Sequence, residues 1–362
     1  MKKIFSIALM IFVGAQTLYA CTTFFIHKNG QLAFGRNYDW VTDVGMVCSN
    51  LRGLSKTSMK MPEGSTVKWI SKYGSITFNQ YGKEFPNGGM NEMGLVVEMM
   101  WLDGSQYPRS DKRPSMYVLQ WIQYQLDNCV SVKDVLATNK KIRISQKGNA
   151  PVHYLVADAS GEAATIEFLE GKMVVHKGNK LPLAVLANTA YATSSRLVMD
   201  AELGNVDDGK KIESHSFSDN SVRRFANACS MVKKYQQNEI DKPIVDYSFE
   251  ILEKVSQPEF TKWSIVYDIN NKTVYFKSSS YADIKSIAFT DVDLSCNATA
   301  VTFDMNQPSA GNVGKMLTPF SDEMNMNLMS KAVSESKNQV PFTDEFVKNS
   351  VDYASAIKCS NN

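Results

Sequence analysis

The succession of local patterns predicts an α+β fold of two packed β-sheets with helices on their outer faces. Three observations carry this. Short strand-like runs separated by turn signals dominate the first part of the chain, helical periodicity appears in two separate stretches, and β-type runs return after each. The 362 residues are 44% hydrophobic, enough for a substantial core.

Taken in order, Thr22–His27 and Gln31–Gly35 flank Asn29-Gly30 and read as a hairpin. Ser75–Asn79 and Leu95–Trp101 are strand candidates around Gly88-Gly89, a pair that permits a tight turn or close backbone approach. Pro114 opens a helix over Ser115–Asp127, with Met116, Leu119, Ile122 and Leu126 at helical spacing. Ser131–Ala137 reads as a second, shorter helix. Val152–Asp158, Ala163–Leu169 and Met173–His176 are divided by Ser160-Gly161 and Glu170-Gly171, which predicts a meander. Ser221–Lys234 is the second helical region, and Trp263–Asp268 with Thr273–Lys277 flank Asn270-Asn271 as another hairpin. From about Ala282 the Asp-, Asn- and Met-containing tail shows no clean periodicity until Asp344–Ala356. No repeat, low-complexity run or linker marks a boundary, so the expected organisation is a leader over 1–20 and one domain over 21–362.

The leader expectation is physical. Lys2 and Lys3 precede an apolar stretch from Ile4 to Val13 that is too short to span a bilayer, and Leu18-Tyr19-Ala20 ends it with a small residue. A cut after Ala20 makes Cys21 the first residue of an exported chain, periplasmic or secreted. The alternative is a lipoprotein signal that anchors the chain through Cys21; Leu18 and Ala20 suit it, the bulky Tyr19 does not. No later segment is apolar for long enough to cross a membrane. Without Lys2 and Lys3, basic and acidic residues balance, so nucleic acid is not an expected partner. Export permits disulfides. Apart from Cys21, five cysteines remain, so at least one stays free or pairs between chains; Cys296 and Cys359, which flank the C-terminal region, are the expected bridge. No CxxC or Cys/His cluster has metal spacing, and the scattered His27, His153, His176 and His215 read as structural.

The chemistry centres on Cys21. A mature amino-terminal cysteine carries a nucleophile, its thiol, and a base, its free α-amine, which titrate unperturbed near ~8.5 and ~8. That pairing is the machinery of N-terminal nucleophile hydrolases. The predicted hairpin returns Gly35-Arg36-Asn37-Tyr38-Asp39-Trp40 beside it. There Arg36 favours the thiolate and Asp39 holds the α-amine, unless the two are only a surface ion pair.

Cys21-Thr22 followed by Gly35-Arg36-Asn37-Tyr38-Asp39-Trp40 resembles the choloylglycine hydrolase and penicillin V acylase family of linear-amide hydrolases. Four further segments resemble it in the same order: Gly89-Met90-Asn91-Glu92-Met93-Gly94-Leu95; His153 to Asp158 with Gly161-Glu162 and Ile166-Glu167; Ser221-Val222-Arg223-Arg224-Phe225; and Trp263-Ser264-Ile265-Val266-Tyr267-Asp268. The likeness covers roughly 21 to 280. It implies a four-layer αββα sandwich of two antiparallel sheets. It also implies catalytic roles for Cys21, Arg36 and Asp39, for Asn188 in the oxyanion hole, and for Arg224, which the adjoining Phe225 selects over Arg223. Ala187 and Ala190 depart from the Thr and Pro usual in that family.

By the same resemblance, Trp101 stands where bile-salt hydrolases carry Asn and penicillin V acylases carry Tyr. Its backbone N–H suits an oxyanion and its indole suits a flat or apolar acyl group; otherwise it is a core residue ending a strand. No cofactor or metal is implied, and family members are often tetramers. The expected substrates are conjugated bile acids, penicillin V or N-acyl compounds such as acyl homoserine lactones. Two other functions use the same scaffold: a lipid-anchored, non-catalytic binding protein, and an acyltransferase passing the thioester to an amine.

Overall fold

A computed structural model of the chain describes residues 21–200, 220–340 and 342–360. The leader over 1–20 and His215 lie outside them. Two large sheets stack face to face. The first has strand order Val185–Leu186, Thr22–Lys28, Gln31–Asp39, Thr261–Asp268, Thr273–Ser278, Lys285–Ala288 and Gly311–Asn312, antiparallel except for the last, parallel pair. The second is antiparallel throughout, in the order Lys172–Lys177, Ala163–Leu169, Val152–Ala157, Val96–Trp101, Pro86–Asn91, Ser75–Asn79, Met46–Asn50, Val301–Asp304 and Thr318–Pro319.

Seven helices are described: α1 (Val118–Asn128), α2 (Val132–Thr138), α3 (Tyr191–Asp200), α4 (Asn220–Gln236), α5 (Ile244–Lys254), α6 (Asp322–Ser336) and α7 (Asp344–Ala356). Helices α4 and α5 cover the first sheet and α1 covers the second, which gives the four layers αββα. Phe78 and Phe303 of the second sheet meet Tyr267 and Phe276 of the first edge-on, with centroids 5.6–5.9 Å apart, and form part of the core between the sheets. Among the described residues, no helix is long and apolar enough to cross a membrane.

The first hairpin forms as its sequence dictates. Asn29 (φ 51°) and Gly30 (φ 80°) both adopt the left-handed conformation that a two-residue turn requires. The return strand then runs on to Asp39, past the expected Gly35. One expectation needs correction. The helix expected from Ser115 begins at Val118, because Ser115–Met116 pair in parallel with Arg143–Ile144 as a small separate sheet. Of the two readings of Gly88-Gly89, the close backbone approach holds and the turn does not: the pair lies inside the strand Pro86–Asn91, and a Cβ on Gly89 would come 2.7 Å from the Ile76 carbonyl oxygen. A Cβ on Gly88 would sit 2.0 Å from the Glu98 carboxylate, so the glycine makes room for a buried charge on the neighbouring strand.

The tail unread in the sequence contains α6, whose Ser321 hydroxyl accepts from the Met324 N–H as an N-cap. It also contains α7, over the expected Asp344–Ala356. Cys296 and Cys359 are joined, and Lys358–Cys359 pairs with Leu54–Thr57 to fasten the tail to the body. Cys21, Cys48, Cys129 and Cys229 are free and buried.

Candidate active site

The hairpin register opposes Thr22 to Asn37 and Thr23 to Arg36, so the end of the return strand lies beside Cys21. The Asp39 N–H donates to the Cys21 Sγ at 3.4 Å. Strand alternation then sends Arg36 and Asp39 to opposite faces. Neither belongs to a surface ion pair: Arg36 is 0% and Asp39 1% exposed.

Arg36 enters the space between the sheets. It forms an ion pair with Glu98 and donates to the Asn87 carbonyl at 3.0 Å. The Tyr267 hydroxyl donates to the other Glu98 oxygen. Burial opposes the Arg36 charge, but Glu98 and Cys21 outweigh it and hold its pKa up. Burial pushes Glu98 up to about 7 against Arg36 and Tyr267.

Asp39 faces the helical side. Gln257 Nε2 donates to its Oδ2 at 2.8 Å, and Thr261 Oγ1 donates to its Oδ1 at 2.5 Å. Burial lifts Asp39 to about 6, opposed by Arg224 and by these two hydrogen bonds. Burial also raises the Cys21 thiol, with Arg36 pulling it down. Burial thus favours the protonated thiol, which needs a base to become a nucleophile.

Arg224 resolves the register of its double arginine. It is buried on α4 and donates through Nη1 to the Cys21 carbonyl at 2.7 Å and to the Thr22 hydroxyl, and through Nη2 to Asn188 Oδ1 at 3.2 Å. Arg223 is exposed and donates to Asn220 on its own helix. Phe225 packs edge-on to Tyr191, which fixes the rotation of α4.

Asn188 donates through Nδ2 to the Trp101 carbonyl at 2.7 Å. The Leu102 N–H donates to the carbonyl of Pro151, just before the neighbouring strand Val152–Ala157. In an antiparallel strand successive residues address opposite neighbours, so both the N–H and C=O of Trp101 face the Asn188 side.

The Asn188 segment is held at both ends by a buried pair. His153 Nε2 donates to the Ala187 carbonyl at 2.6 Å, and its Nδ1 lies 3.1 Å from Glu167 Oε1. The same oxygen accepts from the Tyr191 N–H at 3.0 Å. Ser221 Oγ accepts the N–H groups of both Asn188 and Thr189 at 2.9 Å.

Cys21, Arg36, Asp39 and Trp101 line one pocket of about 560 Å³ of empty space, part of it open to solvent, whose walls are mainly apolar. Trp101 is half-buried and forms one of these walls. Its ring lies 6.1 Å from that of Trp40, and its indole N–H donates to Asp103 at 2.5 Å. All six residues singled out from the sequence thus fall in one neighbourhood. Sequence reasoning missed Gln257, Thr261, Glu98 and Tyr81 as neighbours of the site. Only Glu98, a charge in an otherwise apolar strand, left a readable signal.

Residues 21–198 match the family model described as linear amide C–N hydrolases, choloylglycine hydrolase family. A penicillin V acylase from Pectobacterium atrosepticum is 26% identical over 326 residues, spanning 76% of this chain and 84% of that one. The structure of a penicillin V acylase from Agrobacterium tumefaciens superposes with a TM-score of 0.69 at 26% identity, covering 83% of this chain and 98% of that one. A variant conjugated bile acid hydrolase from Clostridium perfringens superposes with a TM-score of 0.64 at 16% identity over 80% and 98% of the two chains, a likeness of fold.

Proposed function

We propose, from the premise that the chain belongs to the choloylglycine hydrolase family of linear amide C–N hydrolases, that it cleaves its amide through a thioester on Cys21 once the leader has been removed. The observation that carries this reading is the arrangement around Cys21. The residue lines an apolar pocket, while Arg224 ties its carbonyl to the Asn188 side chain.

The α-amine of processed Cys21 takes the thiol proton, and the sulfur attacks the amide carbonyl carbon. The oxyanion that forms receives the Trp101 N–H and the second Asn188 Nδ2 hydrogen, the first being engaged by the Trp101 carbonyl. Asp39, gripped by Gln257 and Thr261, stabilises the α-ammonium that has just formed. As the C–N bond breaks, that ammonium protonates the departing amine. Water, deprotonated by the same α-amine, then attacks the thioester, the C–S bond breaks, and the acid and the thiol are released.

The leader exports the chain to the periplasm or the exterior. The burial of Cys21, 4% exposed, favours the enzyme over a lipid-anchored binder, because a diacylglyceryl thioether would have to leave this site.

The apolar pocket beside Trp40 and Trp101 suits a flat acyl group, such as the phenoxyacetyl group of penicillin V. A hydrolysis panel of penicillin V, glycine- and taurine-conjugated bile acids and acyl homoserine lactones tests this. Cleavage of none by the processed chain would overturn the reading.

Trp101→Asn keeps the backbone donor and removes the wall. It is expected to lower kcat/KM for penicillin V relative to a conjugated bile acid by ~1–3 kcal/mol, roughly ten- to hundredfold. An unchanged ratio in a folded variant would assign the indole to packing alone.

A pH dependence also follows. Asp39 supports the ammonium only as a carboxylate, so its contribution is present above about 6 and lost as pH falls through that value. The kcat/KM profile of the wild type is expected to show a partial acid limb near this value, added to the one that protonation of the α-amine itself produces. In Asp39→Asn the profile starts lower and lacks the partial limb; an identical acid limb in the variant would assign the titration to another group.

A further inference from the structure

The apolar pocket is lined by Cys21 at the chemistry and also by Val340 and Phe342, from the α6–α7 connection. These two residues are remote from Cys21 in sequence and lie beyond the segment matched by the family model. The Phe342 ring lies 5.0 Å from Tyr81 and stacks on Phe346 at 4.6 Å, while Phe346 lies 5.5 Å from Tyr117. Tyr81 and Tyr117 line the same pocket. The α6–α7 pair of helices also grips the loop that follows Asp39. The Trp40 indole N–H donates to the Tyr81 hydroxyl at 2.8 Å, Tyr81 donates to Ser336 on α6 at 3.0 Å, and the Thr42 hydroxyl donates to Glu335. Beyond α7, the Cys296–Cys359 bridge and the strand Lys358–Cys359 hold the tail to the body.

We propose that Val340 and Phe342 are specificity-determining residues, a wall of the acyl pocket that sets the size of the acyl group accepted at Cys21. This rests on the amidase reading above. A wall supplied by a separate helical hairpin fixes pocket size without disturbing the strands that carry Cys21, Arg36 and Asp39.

The test is a series of straight-chain N-acyl p-nitroanilides, from about four to about twelve acyl carbons, with the leaving group constant. Removing the ring in Phe342→Ala is expected to raise the ratio of kcat/KM for the longest over the shortest chain about tenfold, and Phe342→Trp to lower it. A length profile of unchanged shape in both folded variants would overturn the proposal. If Phe342→Ala does not fold, Phe342→Trp carries the test alone. Binding of the corresponding straight-chain carboxylic acids to Cys21→Ser, followed by tryptophan fluorescence, separates the two readings. A wild type that cleaves no anilide counts against the amidase. An acid-length dependence of Kd that is the same in Cys21→Ser and Cys21→Ser/Phe342→Ala counts against the wall.

Discussion

Cys21→Ser, made on a correctly processed chain, is expected to fold like the wild type and lose on the order of 10³-fold or more in turnover. Serine fits the site: Cys21 is a small buried residue whose sulfur accepts the Asp39 N–H, and a hydroxyl accepts the same bond. The loss is chemical. A hydroxyl is far less nucleophilic at neutral pH and harder to deprotonate than the thiol it replaces, and the buried setting that raises the Cys21 pKa would act on serine as well. Circular dichroism and thermal melting report folding, and a coupled assay for the released amine reports turnover. Turnover close to wild type would overturn the thioester mechanism.

A non-removable alanine placed before Cys21 is expected to abolish activity while leaving the thiol in place. The α-amine becomes an amide nitrogen with no basic lone pair, and the neutral thiol that burial favours then has no base. Asp39 does not substitute. It lies on the helical face, committed to Gln257 and Thr261, and Arg36 and Arg224 are permanently protonated. The measurement compares the extended and exact-start chains, with thiol titration under denaturing conditions to show that the sulfur is intact. Retained activity would place the base elsewhere and remove the need for leader cleavage.

Much of the framework is legible because it depends on local chemistry. Asn29-Gly30 forces a tight hairpin through its left-handed backbone, and the hairpin register carries Arg36 and Asp39 to Cys21. Alternating and apolar runs mark Ser75–Asn79, Ala163–Leu169 and Thr273–Ser278. What escaped has a physical cause in each case. Pro86–Asn91 contains two glycines, which have no strand preference of their own; they are there because a Cβ on Gly88 would strike Glu98 and one on Gly89 would come within 2.7 Å of the Ile76 carbonyl. Helix α6 mixes Asn, Ser and Met, so no apolar stripe stands out until Met329 and Ala332 are seen buried.

The sequence by itself singled out Cys21, the charges that return beside it and the class of fold, since each follows from residue order, turn chemistry and periodicity over short stretches. Only the tertiary structure decided how those charges are used. Glu98 reaches Arg36 across 62 residues, Gln257 reaches Asp39 across 218, and Phe342 comes to the Cys21 pocket from the far end of the chain. Such partners are chosen by the packing of the two sheets and by the cost of leaving a buried charge unpaired, and neither is written in any local pattern.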